Sequence, residues 1–452
     1  MNRDNQPWSP AGGARLTWDE HDVPRSAAFD DVYYSRDDGL AESRYVFLHG
    51  NALPARFQDA STEGHFCIAE TGFGTGLNFL LTWQAWRDSP EPRRPLRYVS
   101  IEKHPLTHAE LAQALAPWQS LAQLAQDLAE NYPPLVPGTH RLLFDAGRVT
   151  LDLWFEDAAA TLDDLALRGT PLVDAWYLDG FAPARNAAMW QSGLLSRLGE
   201  LSRTNATFST FTAVGQVRRD LTDAGFDVSK RAGYGTKREC LQGQLARRPA
   251  TGAAPDMTPW DIPGERAAPT ATALVLGAGL AGCFTAAALA ARGVHVTLLD
   301  AGAAAGGASG NDQGVLFTRL SHRHSTLVDF ALQSYVHAAA RYRGMFHSGA
   351  LRSGLDGELC GSFQQVADAQ ELERLKAALH GADALAEVLD AAAASERTGV
   401  LQAHGGTWLP ASGWLHPPAV CTALLDHPLI TLREHCGPLT LEHANGLWHA
   451  GA

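Results

Sequence analysis

The stretch HFCIAETGFGTGLNFL, residues 65–80, reads as an apolar strand ending in an acid, then a glycine-rich turn, then the start of an apolar helix. Glu70 leads into Gly72, Gly74 and Gly76. Glycines at such a turn remove the Cβ atoms that would keep a ligand away from the backbone N–H groups. An acid followed by three alternating glycines suits a nucleoside bearing a carboxylate and an amine, since Glu70 can accept from a cationic amine or order the loop. About two hundred residues later, ATALVLGAGLAGCFTAAALAARGVHVTLLDA (271–301) repeats the strand–turn–helix idea on a different glycine spacing. Gly277, Gly279 and Gly282, with Asp300 closing the next strand, form a dinucleotide fingerprint, which alone does not separate NAD from FAD. Two unlike turns imply two ligands, and hence a fusion of two cofactor-using modules.

At 452 residues and 45% hydrophobic, the chain has the apolar content for two or three domains. Strands alternating with helical stretches predict α/β architecture. The six cysteines are scattered and form no CxxC pair, which fits a reducing, cytoplasmic compartment and no structural zinc. His322, His324, His404 and His416 have no metal-ligand spacing, so no metal is expected. The N-terminus is polar, without the apolar stretch of a secretory signal. Residues 271–291 are uncharged and long enough to span a bilayer. Their β-rich start, glycine turn and alanine-rich continuation instead predict a buried βα unit, and no membrane partner. A net charge of −13 argues against indiscriminate adhesion to nucleic acid. A local basic face remains open over 214–248, where Arg218, Arg219, Lys230, Arg231, Lys237, Arg238, Arg247 and Arg248 outnumber four acids.

Residues 1–60 read as an entry segment of short strands, with a strand at SRYVFLHGN (43–51). HFCIAE, LRYVSIE, VTLDLWFED, DAWYLDGF, ATFSTFT and the pair around VSKRAGYG and ECLQGQLA read as strands. LNFLLTWQAWRD, AAMWQSGLLSRLGELS and residues 105–132, broken at Pro117, have helical spacing. Residues 249–271 are rich in Pro, Ala and Gly and mark a linker. It separates a first domain, 1–248, from a second, 272–452. Within the second, 367–394 reads as helical throughout.

Acids close successive strands of the first domain. Glu102 is placed to take two ribose hydroxyls, and Asp157 to accept from an adenine amino group. Asp179, in DAWYLDGFAP, would lie beside the reacting atoms, because open α/β sheets bind ligands at the carboxyl ends of their strands. Each acid also has an ordinary reading, as a helix cap or a surface carboxylate.

ETGFGTGLNFL, VTLDLWFED, LDGFAPARNAAMW, TFSTFTAVGQVRRDL and AGFDVSKRAGYGTKREC together resemble the class I S-adenosylmethionine methyltransferases. Within them the likeness is to the bacterial bifunctional family that builds 5-methylaminomethyl-2-thiouridine in tRNA, and it covers nearly all of residues 15–248. GGASGNDQGVLF and GTWLPASGWLHPPAVC resemble the D-amino-acid-oxidase-like FAD oxidoreductases, including the second half of that same family. The resemblance implies a Rossmann-like methyltransferase domain followed by a Rossmann-type FAD-binding domain. It implies S-adenosylmethionine and FAD as cofactors and the wobble uridine of tRNA as substrate. Asp179 would then bind the reacting amine and Phe181 would stack on the flipped base. Gly307, Ala308, Ser309, Gly310 and Asn311 would lie close to the flavin. About 180 residues follow the linker, fewer than the resemblance leads one to expect. The oxidoreductase domain is therefore expected to be partial and its flavin binding is in doubt. Two other readings stay open: an enzyme acting on a free small-molecule amine, and a tRNA-binding protein without catalysis.

Overall fold

The computed structural model describes residues 4–20, 23–35, 38–58, 64–167, 169–235, 237–249 and 272–451. The expected linker, apart from Pro249, lies outside them. The chain divides into two compact units, one built mainly from residues 9–249 and the other mainly from 272–451.

The first unit is organised by an eight-stranded sheet. Its strands are β1 (Phe66–Glu70), β2 (Leu96–Ile101), β3 (Gly138–Phe144), β4 (Val149–Phe155), β5 (Val173–Tyr177), β6 (Ser202–Thr210), β7 (Phe226–Ala232) and β8 (Glu239–Leu245). Their spatial order is β7-β8-β6-β5-β1-β2-β4-β3. The five central strands run parallel, while β3, and β8 against β6 and β7, pair antiparallel. On β1, Phe66 and Ile68 enter one buried cluster, and Cys67 and Ala69 enter another on the opposite face. A central parallel strand is covered on both faces, which explains runs that are apolar without alternation. The chain leaves β1 toward β2 and β4, then returns to β5 on its other side. That reversal opens a crevice at the carboxyl ends of β1 and its neighbours.

A polar knot anchors the opposite end of the sheet. Asp174 on β5 is buried, accepts the Cys67 amide at 2.8 Å and pairs with Arg203 at 2.6 Å and Arg94 at 3.6 Å. Removing one partner strands the others in a low-dielectric site. Asp174→Ala is therefore expected to destabilise the unit by about 3 kcal/mol, read as a drop in denaturation midpoint at unchanged m-value.

Two expectations are corrected. Residues 43–51 are helical, not a strand. Asp38 caps a helix over Gly39–Ser43, and wide turns continue it through Arg44–Leu48. Val46, Phe47 and Leu48 are buried in succession, and Ser209 and Asn51 donate to the Val46 and Phe47 carbonyls. Residues 367–394 are not one helix. The helix Ala369–Ala378 stops before Gly381, Glu387–Leu389 pairs with Gly406–Leu409, and Asp390 caps a new helix, Ala391–Thr398. Strand pairing there overrides the helix propensity of alanine. Strand β3 carried no clear sequence signal, being an edge strand with exposed Thr139 and Arg141.

The second unit opens with β9 (Thr272–Leu276), α1 (Leu280–Ala290) and β10 (His295–Leu299), a parallel βαβ unit extended by β11 (Ile430–Arg433). The long helix Thr326–His347 and three small antiparallel sheets, two of three strands and one of two, also belong to it. No described helix is long and apolar enough to cross a membrane.

Candidate functional site

The glycine turn after β1 forms one wall of a cavity of about 290 Å³ at the strand ends. That size sits near the lower end of small-molecule sites, roughly 300–1,000 Å³. Glu102, Asp157, Asp179 and Phe181 all line it, as the sequence led us to expect. So do Gly72 and Gly74. Gly74 has φ +53°, and a Cβ there would stand 3.1 Å from the Tyr33 ring. Gly76 ends the turn and precedes the helix Leu77–Asp88.

The acids play distinct parts. Glu102 accepts the backbone N–H of Gly74 and of His104, both at 2.8 Å, so it ties the glycine turn to the next strand end. Burial pushes its carboxyl up to about 7 against these two amides. Asp157 lies where its strand ends, but its Oδ1 accepts from Ala159 at 3.0 Å and its Oδ2 pairs with Lys103 at 3.0 Å. Against the burial that would raise it, Lys103 and the helix amides hold this carboxylate below its usual range. The cap reading and the cavity-lining reading of Asp157 thus both apply. Glu70 is placed differently. It lies buried behind the turn rather than on the cavity wall, accepting from Asn78 at 2.9 Å and from the Ser100 hydroxyl at 2.7 Å.

Asp179 follows β5 and is held from two sides. Its Oδ1 accepts the Gly180 amide at 2.8 Å and its Oδ2 accepts the Asn78 side-chain amide at 2.7 Å. Burial raises it to about 6, against the pull of these two donors and the Lys237 ammonium. A partly buried carboxylate poised there is a stronger base than a solvated one, yet still ionised at neutral pH. Beside it the Phe181 ring stacks on Phe29 at 4.8 Å and meets the edge of Tyr33 at 5.3 Å. The cavity therefore sets one carboxylate next to an aromatic wall.

Asn78, Phe29 and Tyr33 were not anticipated. An amide at the second position of the apolar run LNFLLTWQAWRD, directly after the glycine turn, was a usable signal for Asn78. Phe29 and Tyr33 sit in an irregular segment with no periodicity to mark them. Of the basic stretch, Lys237 pairs with Glu42 at 2.6 Å, Lys230 with Glu239 at 2.6 Å, and Arg231 lies over the Tyr45 ring at 3.9 Å.

The second turn has its own cradle. The Gly277 amide donates to Leu299, and the Ala278 amide to Asp300 Oδ2 at 2.6 Å. Asp300 Oδ1 takes Gly302 at 2.8 Å. A Cβ on Gly282 would stand 1.8 Å from the Gly277 carbonyl oxygen, so only glycine lets α1 pack this close to the turn. Ser309 accepts from the Leu280 amide at 3.0 Å, beside Gly279 at the start of α1. Gly307, Ala308, Gly310 and Asn311 form an exposed turn around it, with Asn311 donating to the Ala308 carbonyl at 2.8 Å. Cβ-free backbone at the turn and an acid closing the next strand fit a dinucleotide such as FAD. His322 and His324 face Glu371 and Asp329, at 2.8 and 2.9 Å.

Residues 119–246 match the family described as S-adenosyl-L-methionine-dependent methyltransferase, and residues 272–451 match FAD dependent oxidoreductase. The chain is 43% identical over 442 residues to the tRNA 5-methylaminomethyl-2-thiouridine biosynthesis bifunctional protein MnmC of Ectopseudomonas mendocina, covering 97% of this chain and 65% of that protein. It is 45% identical to the protein of the same name from Stutzerimonas stutzeri, covering 96% of this chain and 64% of that one. The chain spans about 65% of the length of these curated relatives. The match over 272–451 corrects the doubt about the second half: a domain of the FAD-dependent oxidoreductase family is present. The two matched families are those of S-adenosylmethionine and FAD chemistry.

Proposed function

This chain is a homologue of the bifunctional proteins of tRNA 5-methylaminomethyl-2-thiouridine biosynthesis, and from that premise we propose that it modifies the wobble uridine of tRNA in two steps. Residues 272–452 act as the FAD-dependent oxidoreductase domain. They free the primary amine of 5-aminomethyl-2-thiouridine from its carboxymethyl precursor, with glyoxylate leaving after hydrolysis. Residues 1–248 act as the methyltransferase domain and methylate that amine. The protein works in the cytoplasm, where its tRNA substrate is.

The observation that carries the reading is Asp179, a partly buried carboxylate with an aromatic neighbour, in the wall of the glycine-turn cavity. S-adenosylmethionine, when bound, supplies an electrophilic methyl group; the glycine turn, Glu102 and Asp157 are the residues to hold it. A 5-aminomethyl group is an ammonium in water and has no free lone pair. Asp179 accepts a hydrogen bond from that nitrogen, orients it and is the nearest base for the departing proton. Phe181, backed by Phe29 and Tyr33, offers the uracil ring a face to stack on. Arg238, exposed in the turn between β7 and β8, is available to tRNA phosphates.

A pH dependence follows. Protonating Asp179 removes the acceptor, so the methyl-transfer rate is flat above its pKa of about 6 and falls as the pH drops through it. The fall approaches about tenfold per pH unit, read in saturating single-turnover assays.

The test uses tRNA carrying either the carboxymethylaminomethyl precursor group or the aminomethyl group, with nucleoside mass spectrometry as readout. Aminomethyl tRNA should gain a methyl group with S-adenosylmethionine alone, and the precursor should lose its carboxymethyl group with FAD and no methyl donor. Equal turnover of the free nucleoside, or no methylation of either tRNA, would contradict the reading.

A further inference from the structure

We propose that Asn78 is a positioning residue for methyl transfer, whose amide ties the buried Glu70 carboxyl to Asp179 and fixes which of the two serves as base. The inference rests on the reading of Asp179 given above. Asn78 is the second residue of the helix Leu77–Asp88 and is itself buried. Its Nδ2 donates to Glu70 Oε1 at 2.9 Å and to Asp179 Oδ2 at 2.7 Å. Its Oδ1 has no hydrogen-bond partner among the described residues. Two carboxyl acceptors decide the sense of the amide, because a flip would set Oδ1 against both of them. A buried amide oxygen without a partner calls for an explanation, and holding both carboxyls with one amide nitrogen supplies it.

The two carboxyls differ in what else surrounds them. Glu70 receives only neutral donors, Asn78 and Ser100, and faces the Tyr98 phenol, with Tyr177 nearby. Burial, then the Asp179 charge, holds it well above the carboxylate range. Asp179 also has the Gly180 amide and senses the Lys237–Glu42 pair. The surroundings thus push Glu70 toward its neutral form and give Asp179 the better support for its charge, the division of labour expected when environments push two acids apart. The second N–H of Asn78 stabilises the ionised Asp179, so losing it must raise the pKa of that group.

The test is the pH–rate profile of methyl transfer by Asn78→Ala and by Asn78→Asp, an isosteric change that keeps a foldable shape. The acidic limb should move up by about one pH unit in Asn78→Ala, the shift expected for one hydrogen bond to a charged group. It should move further in Asn78→Asp, which adds a third carboxyl, and both variants should recover activity at higher pH. A lowered rate with the limb unmoved in the variants that fold would overturn the proposal. Asp179→Asn separates the two claims: its inactivity beside an unmoved limb defeats the Asn78 role alone, whereas full activity defeats the reading beneath it.

Discussion

Asp179→Asn is expected to reduce the rate of methyl transfer to aminomethyl tRNA by about 10²–10⁴-fold, the range for losing a positioned base. The Gly180 amide and the Asn78 amide each point a donor at this side chain. Both positions call for an acceptor, and an Asn side chain has one oxygen for the two. The variant therefore loses the negative charge and also sets an N–H against an N–H, at a cost of about 1–3 kcal/mol. Thermal unfolding will report that local penalty, which is too small to unfold a unit with two large buried clusters. Retained binding of S-adenosylmethionine with lost turnover would locate the defect in chemistry. Turnover near that of the parent would remove Asp179 from the mechanism.

Gly282→Ala should have the largest effect in the second unit. The new methyl would lie 1.8 Å from the carbonyl oxygen of Gly277, and that obstacle is backbone, not a side chain free to swing away. Overpacking of this kind costs about 3 kcal/mol or more and pushes α1 off the turn proposed to cradle the dinucleotide. Flavin bound per chain, measured by visible absorbance after desalting, should fall below one tenth of the parent value. Gly344→Ala is the comparison, because a methyl there meets nothing within 4 Å and lies inside a long helix. That change should be neutral or stabilising by about 0.5–1 kcal/mol. Undiminished flavin in Gly282→Ala would mean the turn is not where the cofactor sits.

What the sequence disclosed follows from which signals are local. The central strands of the first unit stand out because each is covered on both faces and so reads as one apolar run, as in Phe66–Glu70 and Val173–Tyr177. Acids just past those runs then land at the crevice by topology, which is why Glu102, Asp157 and Asp179 converge. Glu70 shares the motif but is the last residue of β1, paired with Ser100 and Tyr177 two residues short of Glu102 and Asp179, and so lies buried behind the turn. The stretch 43–51 misled because its apolar triplet Val46–Leu48 satisfies a strand as well as a helix; the Asp38 cap decides between them. Residues 367–394 misled for the converse reason, since pairing with Gly406–Leu409 is non-local and leaves no trace in composition. Asn78 was visible as an oddity without a meaning, because only three-dimensional proximity brings Glu70 and Asp179 to its two N–H groups.

Equilibrium dialysis of the purified chain against isotope-labelled S-adenosylmethionine tests whether the glycine turn and its acids form a methyl-donor site. One equivalent should be retained per chain and displaced by S-adenosylhomocysteine, with Asp179→Asn retaining as much as the parent. Absence of retained label at millimolar donor would mean that the cavity beside Asp179 serves some other ligand.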